Sequence, residues 1–156
     1  MYLAGWNPIV VRYNCEMKRI SAAEYQAMAE LRYRVRLFLR ESDAAARSAG
    51  LEPQQYLLLL AVRGLPEGSL AKIRFLADSL IIKHHSAVEL VDRLEKRGLV
   101  RRTRDRLDRR QVLVSLLPKG QRVLERVVTQ RIGEVRAGGN QLIRAINALL
   151  RKSPQH

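Results

Sequence analysis

Between residues 69 and 117 the apolar pattern changes period, and this change constrains the fold more than any other feature of the chain. From His84 to about Arg97 the residues Ala87, Leu90, Val91 and Leu94 recur three and four positions apart, the spacing of one helix face. Gly98 supplies a C-terminal stop. Directly afterwards "LVRRT" and "QVLVSL" are β-branched and partly alternating, which predicts two short strands joined by Arg104 to Arg110. Ahead of them, Ser69 is placed to cap a short helix through Ala77, with Ile73, Leu76 and Leu80 turned inward.

The flanks read as longer helices. Ser21 and Glu24 form a capping-box pattern that opens a helix to about Ala49, with Met28, Leu31, Val35 and Phe38 at helical spacing. Pro53 begins "PQQYLLLLAVR", a segment apolar nearly all round and so expected to be buried. Pro118 opens a helix to about Arg136, striped by Val123, Leu124, Val127, Val128 and Ile132. Gly138-Gly139 should break it, and Asn140 should cap a last helix carrying Leu142, Ile143, Ile146, Leu149 and Leu150. The expected fold is mainly α with a small β-hairpin wing: a winged helix-turn-helix with N- and C-terminal dimerisation helices. Residues 1-20 form an N-terminal extension, 21-50 and 118-152 the dimerisation helices, and 51-117 the winged unit. The terminal stripes exceed what one small domain needs, and packing on a second copy would cover them.

Charge points to the partner. The 156 residues carry 29 Lys and Arg against 15 Asp and Glu, a net +14. From Ser69 to Arg122 there are fourteen basic and six acidic residues, so a third of the chain holds over half of the net charge. Such a field favours anionic partners, nucleic acid first. The outer face of the second short helix would meet a major groove with its N-terminal end leading. Its candidates for groove contacts are Lys83, His84, His85, Ser86, Glu89 and Arg93. Glu89 with Arg93 and Asp92 with Lys96 are spaced as i, i+4 ion pairs; alternatively, Glu89 accepts a bond from a cytosine amino group. The wing supplies Arg104, Arg106, Arg109 and Arg110, and arginine suits a narrow minor groove because its planar head sheds water at low cost. Asp108 is near enough to orient the Arg110 guanidinium, and Asp105 can accept backbone N–H bonds in the turn.

Other classes find less support. There is no Gly-rich phosphate loop, nucleophile elbow or histidine–carboxylate cluster at metal spacing, so neither catalysis nor a cofactor is expected. His84 and His85 are adjacent and diverge on a helix, and His156 is terminal. The single Cys15 excludes an internal disulfide, which suits a reducing cytoplasm. Lys18 and Arg19 could lower its pKa, but an unreactive thiol is the reading preferred to redox sensing. The apolar run Tyr56 to Val62 is too short for a bilayer, and "MYLAGWNPIVVRYN" lacks the basic start of a signal peptide. A basic RNA-binding or protein-adaptor dimer is the rival class; aromatics make up only 5% of the chain, with none in the wing to stack on bases.

"LADSLIIKHHSAVELVDRLEKRGLVRR", the wing "RDRLDRR" and "VLVSLLPKG" together resemble the MarR family of bacterial transcription regulators, over a span from about Ser21 to Leu150. The resemblance implies a homodimer whose first and last helices interlock and whose two winged motifs bind double-stranded DNA at a pseudo-palindromic operator. It makes Lys83 to Arg97 the recognition helix, and Asp108 and Arg110 the wing pair, with Arg110 in the minor groove. It also implies a repressor released by a small lipophilic or phenolic ligand. Tyr33, Phe38 and Tyr56 are candidate lining residues, although aromatics at helical spacing are more often plain core, which is the preferred reading. The family usually has threonine before its "PKG"-like turn; Leu117 stands here and forgoes a helix cap that is typically worth ~1 kcal/mol.

Overall fold

A computed structural model describes residues 20–106 and 108–150. The extension up to residue 19, with Cys15, and the terminal residues 151–156, with His156, lie outside the described residues.

Among the described residues, six helices and one hairpin follow in the expected order. Helix α1 (Ala22–Ser48) opens with the Ser21/Glu24 box: Ser21 donates its backbone N–H to Glu24 Oε2 at 2.7 Å, and Glu24 N–H donates to Ser21 Oγ at 3.2 Å. Helix α2 (Pro53–Arg63) buries Tyr56, Leu58 and Leu59 but leaves Leu57 and Leu60 exposed. The expectation of a helix covered all round thus fails within one chain. Helices α3 (Ile73–Leu80) and α4 (His84–Lys96) pack through Ile73, Leu76, Ala87, Leu90, Val91 and Leu94, all buried.

Ser69 does not cap α3; Lys72 occupies that position without a side-chain cap bond. The reason lies in the sheet. Val114 N–H donates to Ala71 O at 2.9 Å and Lys72 bridges Leu113, so residues 71–72 are extended along the hairpin before the helix can begin. Strands β1 (Val100–Arg104) and β2 (Val112–Leu116) pair antiparallel, from Val100 opposite Leu116 to Arg104 opposite Val112.

Helix α5 (Pro118–Gly138) follows Leu117, which makes no side-chain cap bond. The break to α6 (Asn140–Leu150) is slighter than two glycines suggest. Gly139 keeps right-handed angles (φ −62°, ψ −22°), and its N–H still bonds Val135 O, so Asn140 is already helical and is no cap. Helix α1 packs mainly along α6 and also touches α2 and α5. The core, formed by Leu58, Leu59, Leu76, Leu90, Leu94, Leu99, Leu124 and Val127 among others, lies beneath the winged unit. By contrast Tyr25, Met28, Val35, Phe38, Ile132, Ile143, Ile146 and Leu150 remain exposed along the terminal helices.

Candidate nucleic-acid interface

Burying Ala87, Leu90, Val91 and Leu94 fixes the rotation of α4 and turns its polar residues outward. Lys83, His84, His85, Glu89 and Arg93 are exposed, and Ser86 is half-buried. The helix begins at Lys83 with no side-chain cap and no acid in its first turn. Its leading N–H groups and the positive end of its dipole are therefore left for an external acceptor.

The acids on this helix take partners the spacing rules do not anticipate. Asp92 pairs with Arg102 of β1 instead of Lys96, and Glu95 receives the Arg102 backbone N–H at 2.9 Å and its Nε at 2.7 Å. A planar guanidinium can engage two carboxylates at fixed angles, which a lysine four residues along cannot. The Arg102 backbone N–H holds the Glu95 carboxyl below its ordinary pKa; burial pushes the other way, and the Arg102 side chain adds to the lowering. Glu89 and Arg93 form no ion pair with each other, so the i, i+4 alternative for Glu89 is not realised.

The hairpin end is closed by its own polar groups. Arg104 Nη1 donates to Arg109 O at 3.0 Å, spanning the turn. Asp108 Oδ1 accepts the Arg110 backbone N–H at 3.0 Å, and Oδ2 accepts Gln111 Nε2 at 2.8 Å. Asp108 therefore shapes the backbone beneath Arg110, where the sequence suggested a grip on its guanidinium; an Asp two residues ahead of an amide reaches it more readily than a long mobile side chain. The Asp105 N–H donates to Gln111 O at 3.0 Å, and Asp105 is buried. Arg106, Arg109 and Arg110 stay exposed.

Three further residues set the interface and were not singled out from sequence. Arg97, at the end of α4, donates to Gln55 Oε1 at 2.6 Å and to Gly50 O at 2.7 Å, tying the helix to the start of α2. Lys119 Nζ donates to Arg97 O at 3.0 Å. A Cβ on Gly120 would lie 2.1 Å from Leu99 O, so only glycine permits α5 to sit this close to the chain leaving α4. The "PKG" turn carried the second and third signals; Arg97 carried none, because its partners lie more than forty residues away.

The aromatic candidates take three different environments. Tyr56 is in the core, Tyr33 is exposed beneath Arg34, and Phe38 lies 4.9 Å under the guanidinium of buried Arg131. Among the described residues no cluster of three metal-ligating side chains occurs, and no helix is long and apolar enough to cross a membrane.

The profile of the MarR family matches residues 49–111, from just after α1 through α2, the helix pair, β1 and the wing turn, stopping short of β2. An uncharacterised HTH-type transcriptional regulator of Bacillus subtilis, YsmB, is 38% identical over 56 residues, which is 36% of this chain and 38% of that protein. CouR from Rhodococcus jostii RHA1, solved bound to p-coumaroyl-CoA, is 25% identical and superposes with a TM-score of 0.61, covering 87% of this chain and 100% of that one. MepR of S. aureus, solved in a mutant form bound to an oligodeoxyribonucleotide, has the same fold at 17% identity, with a TM-score of 0.59 over 75% of this chain and 83% of that one. Over its helix pair and the first part of its wing the chain is thus similar to the MarR family, and it shares the fold of CouR across its terminal helices as well.

Proposed function

We propose that this protein is a homodimeric transcription regulator that binds a pseudo-palindromic DNA operator and represses until a small phenolic or lipophilic effector releases it. One observation carries the reading: an uncapped recognition helix with a basic, hydrogen-bonding leading end is bolted through Arg102 to a wing tipped with exposed arginines. In this reading Lys83, His84, His85, Ser86, Glu89 and Arg93 enter the major groove, and Arg104, Arg106, Arg109 and Arg110 follow the adjacent backbone and minor groove. Asp108 keeps the turn that presents Arg110. Glu89, with no ion pair to Arg93, is available to a cytosine amino group.

Residues 51-117 form the DNA-binding unit, and 21-50 with 118-152 the dimerisation helices. The exposed stripe of α1, α5 and α6 supports this division, since a second copy would cover it. Two recognition helices about 34 Å apart would then occupy successive major grooves. The likeness to CouR with its bound p-coumaroyl-CoA supports an effector of phenolic character.

Fluorescence anisotropy over a salt series, with the duplex upstream of the protein's own gene against a scrambled duplex, tests the function. Preference for the upstream duplex, with a log–log slope steepened by roughly 0.9 per neutralised phosphate, is expected. Absence of duplex binding at low salt would refute it and favour an RNA or protein partner.

A further inference from the structure

Among the described residues, three helices end in the same hydrogen-bonded turn. After α1, Gly50 N–H bonds Arg47 O at 2.9 Å and Leu51 N–H bonds Ala46 O at 3.0 Å. After α4, Gly98 N–H bonds Glu95 O at 2.8 Å and Leu99 N–H bonds Leu94 O at 3.0 Å. After α3, Ile81 N–H bonds Asp78 O at 3.2 Å and Ile82 N–H bonds Ala77 O at 3.0 Å. This is the helix-ending motif in which the residue one past the end must turn left-handed.

Glycine fills that position twice, at φ 78° for Gly50 and φ 68° for Gly98. In the third turn it is filled by Ile81 at φ 55°. A β-branched residue meets its own backbone there, which makes it a genuine outlier. The fold gains nothing visible in exchange: Ile81 is 90% exposed, while the neighbouring Ile82 does the packing against the core. Strain at an exposed apolar side chain has its recompense outside the folded chain.

Position decides what covers it. Ile81 lies two residues ahead of Lys83, at the leading end of α4, where Lys83, His84 and His85 are exposed and the first turn holds no acid. An apolar side chain within a basic rim suits a surface that is anionic outside and apolar locally, and duplex DNA presents thymine methyls and deoxyribose carbons between its phosphates. We infer that Ile81 is a DNA-contacting residue that packs on an apolar group of the operator, its strained turn retained for binding at a cost in stability. This rests on the operator-binding reading above.

The test pairs two readouts on the full-length protein. Ile81→Gly should raise the melting temperature, because it relieves the turn, and weaken operator binding on the order of tenfold, an amount of about 1.4 kcal/mol. Ile81→Val, which keeps a β-branched apolar side chain, should bind nearly as the wild type does. Replacing operator thymines one at a time by deoxyuridine identifies the contacted group: one position per half-site that weakens the wild type but not Ile81→Gly marks a methyl contact, and no such position, with the Ile81→Gly loss intact, marks the sugar. Unchanged affinity in Ile81→Gly while the wild type binds the operator overturns this inference alone. A wild type that binds no duplex overturns the operator reading and this inference with it.

Discussion

Arg102 on β1 grips Glu95 on α4 twice, through its backbone N–H at 2.9 Å and its Nε at 2.7 Å, while its Nη1 reaches Asp92. The helix expected to enter the groove and the strand that carries the wing are thus one mechanical unit. A basic residue in the arginine-rich run serves geometry here, and the cations beyond it are presented as a result.

Arg102→Ala should therefore lower operator affinity about five- to tenfold, an amount near 1–1.4 kcal/mol. The three side chains are about one-third exposed, so the change in stability should stay under about 1 kcal/mol. Anisotropy with parallel urea unfolding separates the two effects; equal losses in both would mean that Arg102 only supports the fold.

Acid should weaken the same clamp. The Glu95 carboxyl is held below its ordinary value of 4.5 by the Arg102 amide and guanidinium. A depressed folded-state pKa adds stability that is complete above 4.5 and disappears as pH falls through the folded value. Chemical denaturation from pH 6 down to about pH 3 should thus show a steeper acid decline in the wild type than in Glu95→Gln. Identical slopes would remove Glu95 from the acid response.

Gly120→Ala should destabilise the winged unit by about 2 kcal/mol or more, since the added carbon meets the Leu99 backbone carbonyl and no rotamer change can move it aside. Urea midpoints measure this directly. A neutral substitution would show that α5 can retreat from the α4 exit at no cost.

Arg110→Ala should weaken specific DNA binding on the order of tenfold and lower the salt slope by roughly 0.9, with dimerisation unchanged. Arg110 is exposed and its side chain holds no part of the turn, which Asp108 closes through the backbone. Sedimentation and anisotropy together check it; if dimer and affinity both survive, the wing assignment is wrong.

Arg131 governs a different joint. It is 5% exposed on α5, pairs with Glu41 of α1 at 3.5 Å and with Glu134, and covers the Phe38 ring. Its carboxylate partners are half-exposed, so Arg131→Ala should cost about 2 kcal/mol, less than the 3–5 kcal/mol typical of breaking a fully buried pair. Thermal unfolding should show it, and Arg131→Met, which preserves much of the packing on Phe38, should recover part of the loss.

What the sequence determined by itself is whatever neighbouring residues settle among themselves. The Ser21/Glu24 box, the stripe Ala87–Leu90–Val91–Leu94, the stops at Gly50 and Gly98, the hairpin and the concentration of charge all follow from contacts within about four residues, or from composition. Tertiary structure decided the partners. Asp92 turned from Lys96 to Arg102, Asp108 from a guanidinium to two amides, and Arg97 to oxygens of Gln55 and Gly50, because a charged group bonds whatever the packed chain brings within reach. Ser69 lost its cap for the same reason, as the backbone ahead of α3 was drawn into the sheet. The left-handed Ile81 could not be anticipated either: intrinsic preference argues for glycine, and only the folded turn shows an isoleucine holding that conformation with its side chain in the open.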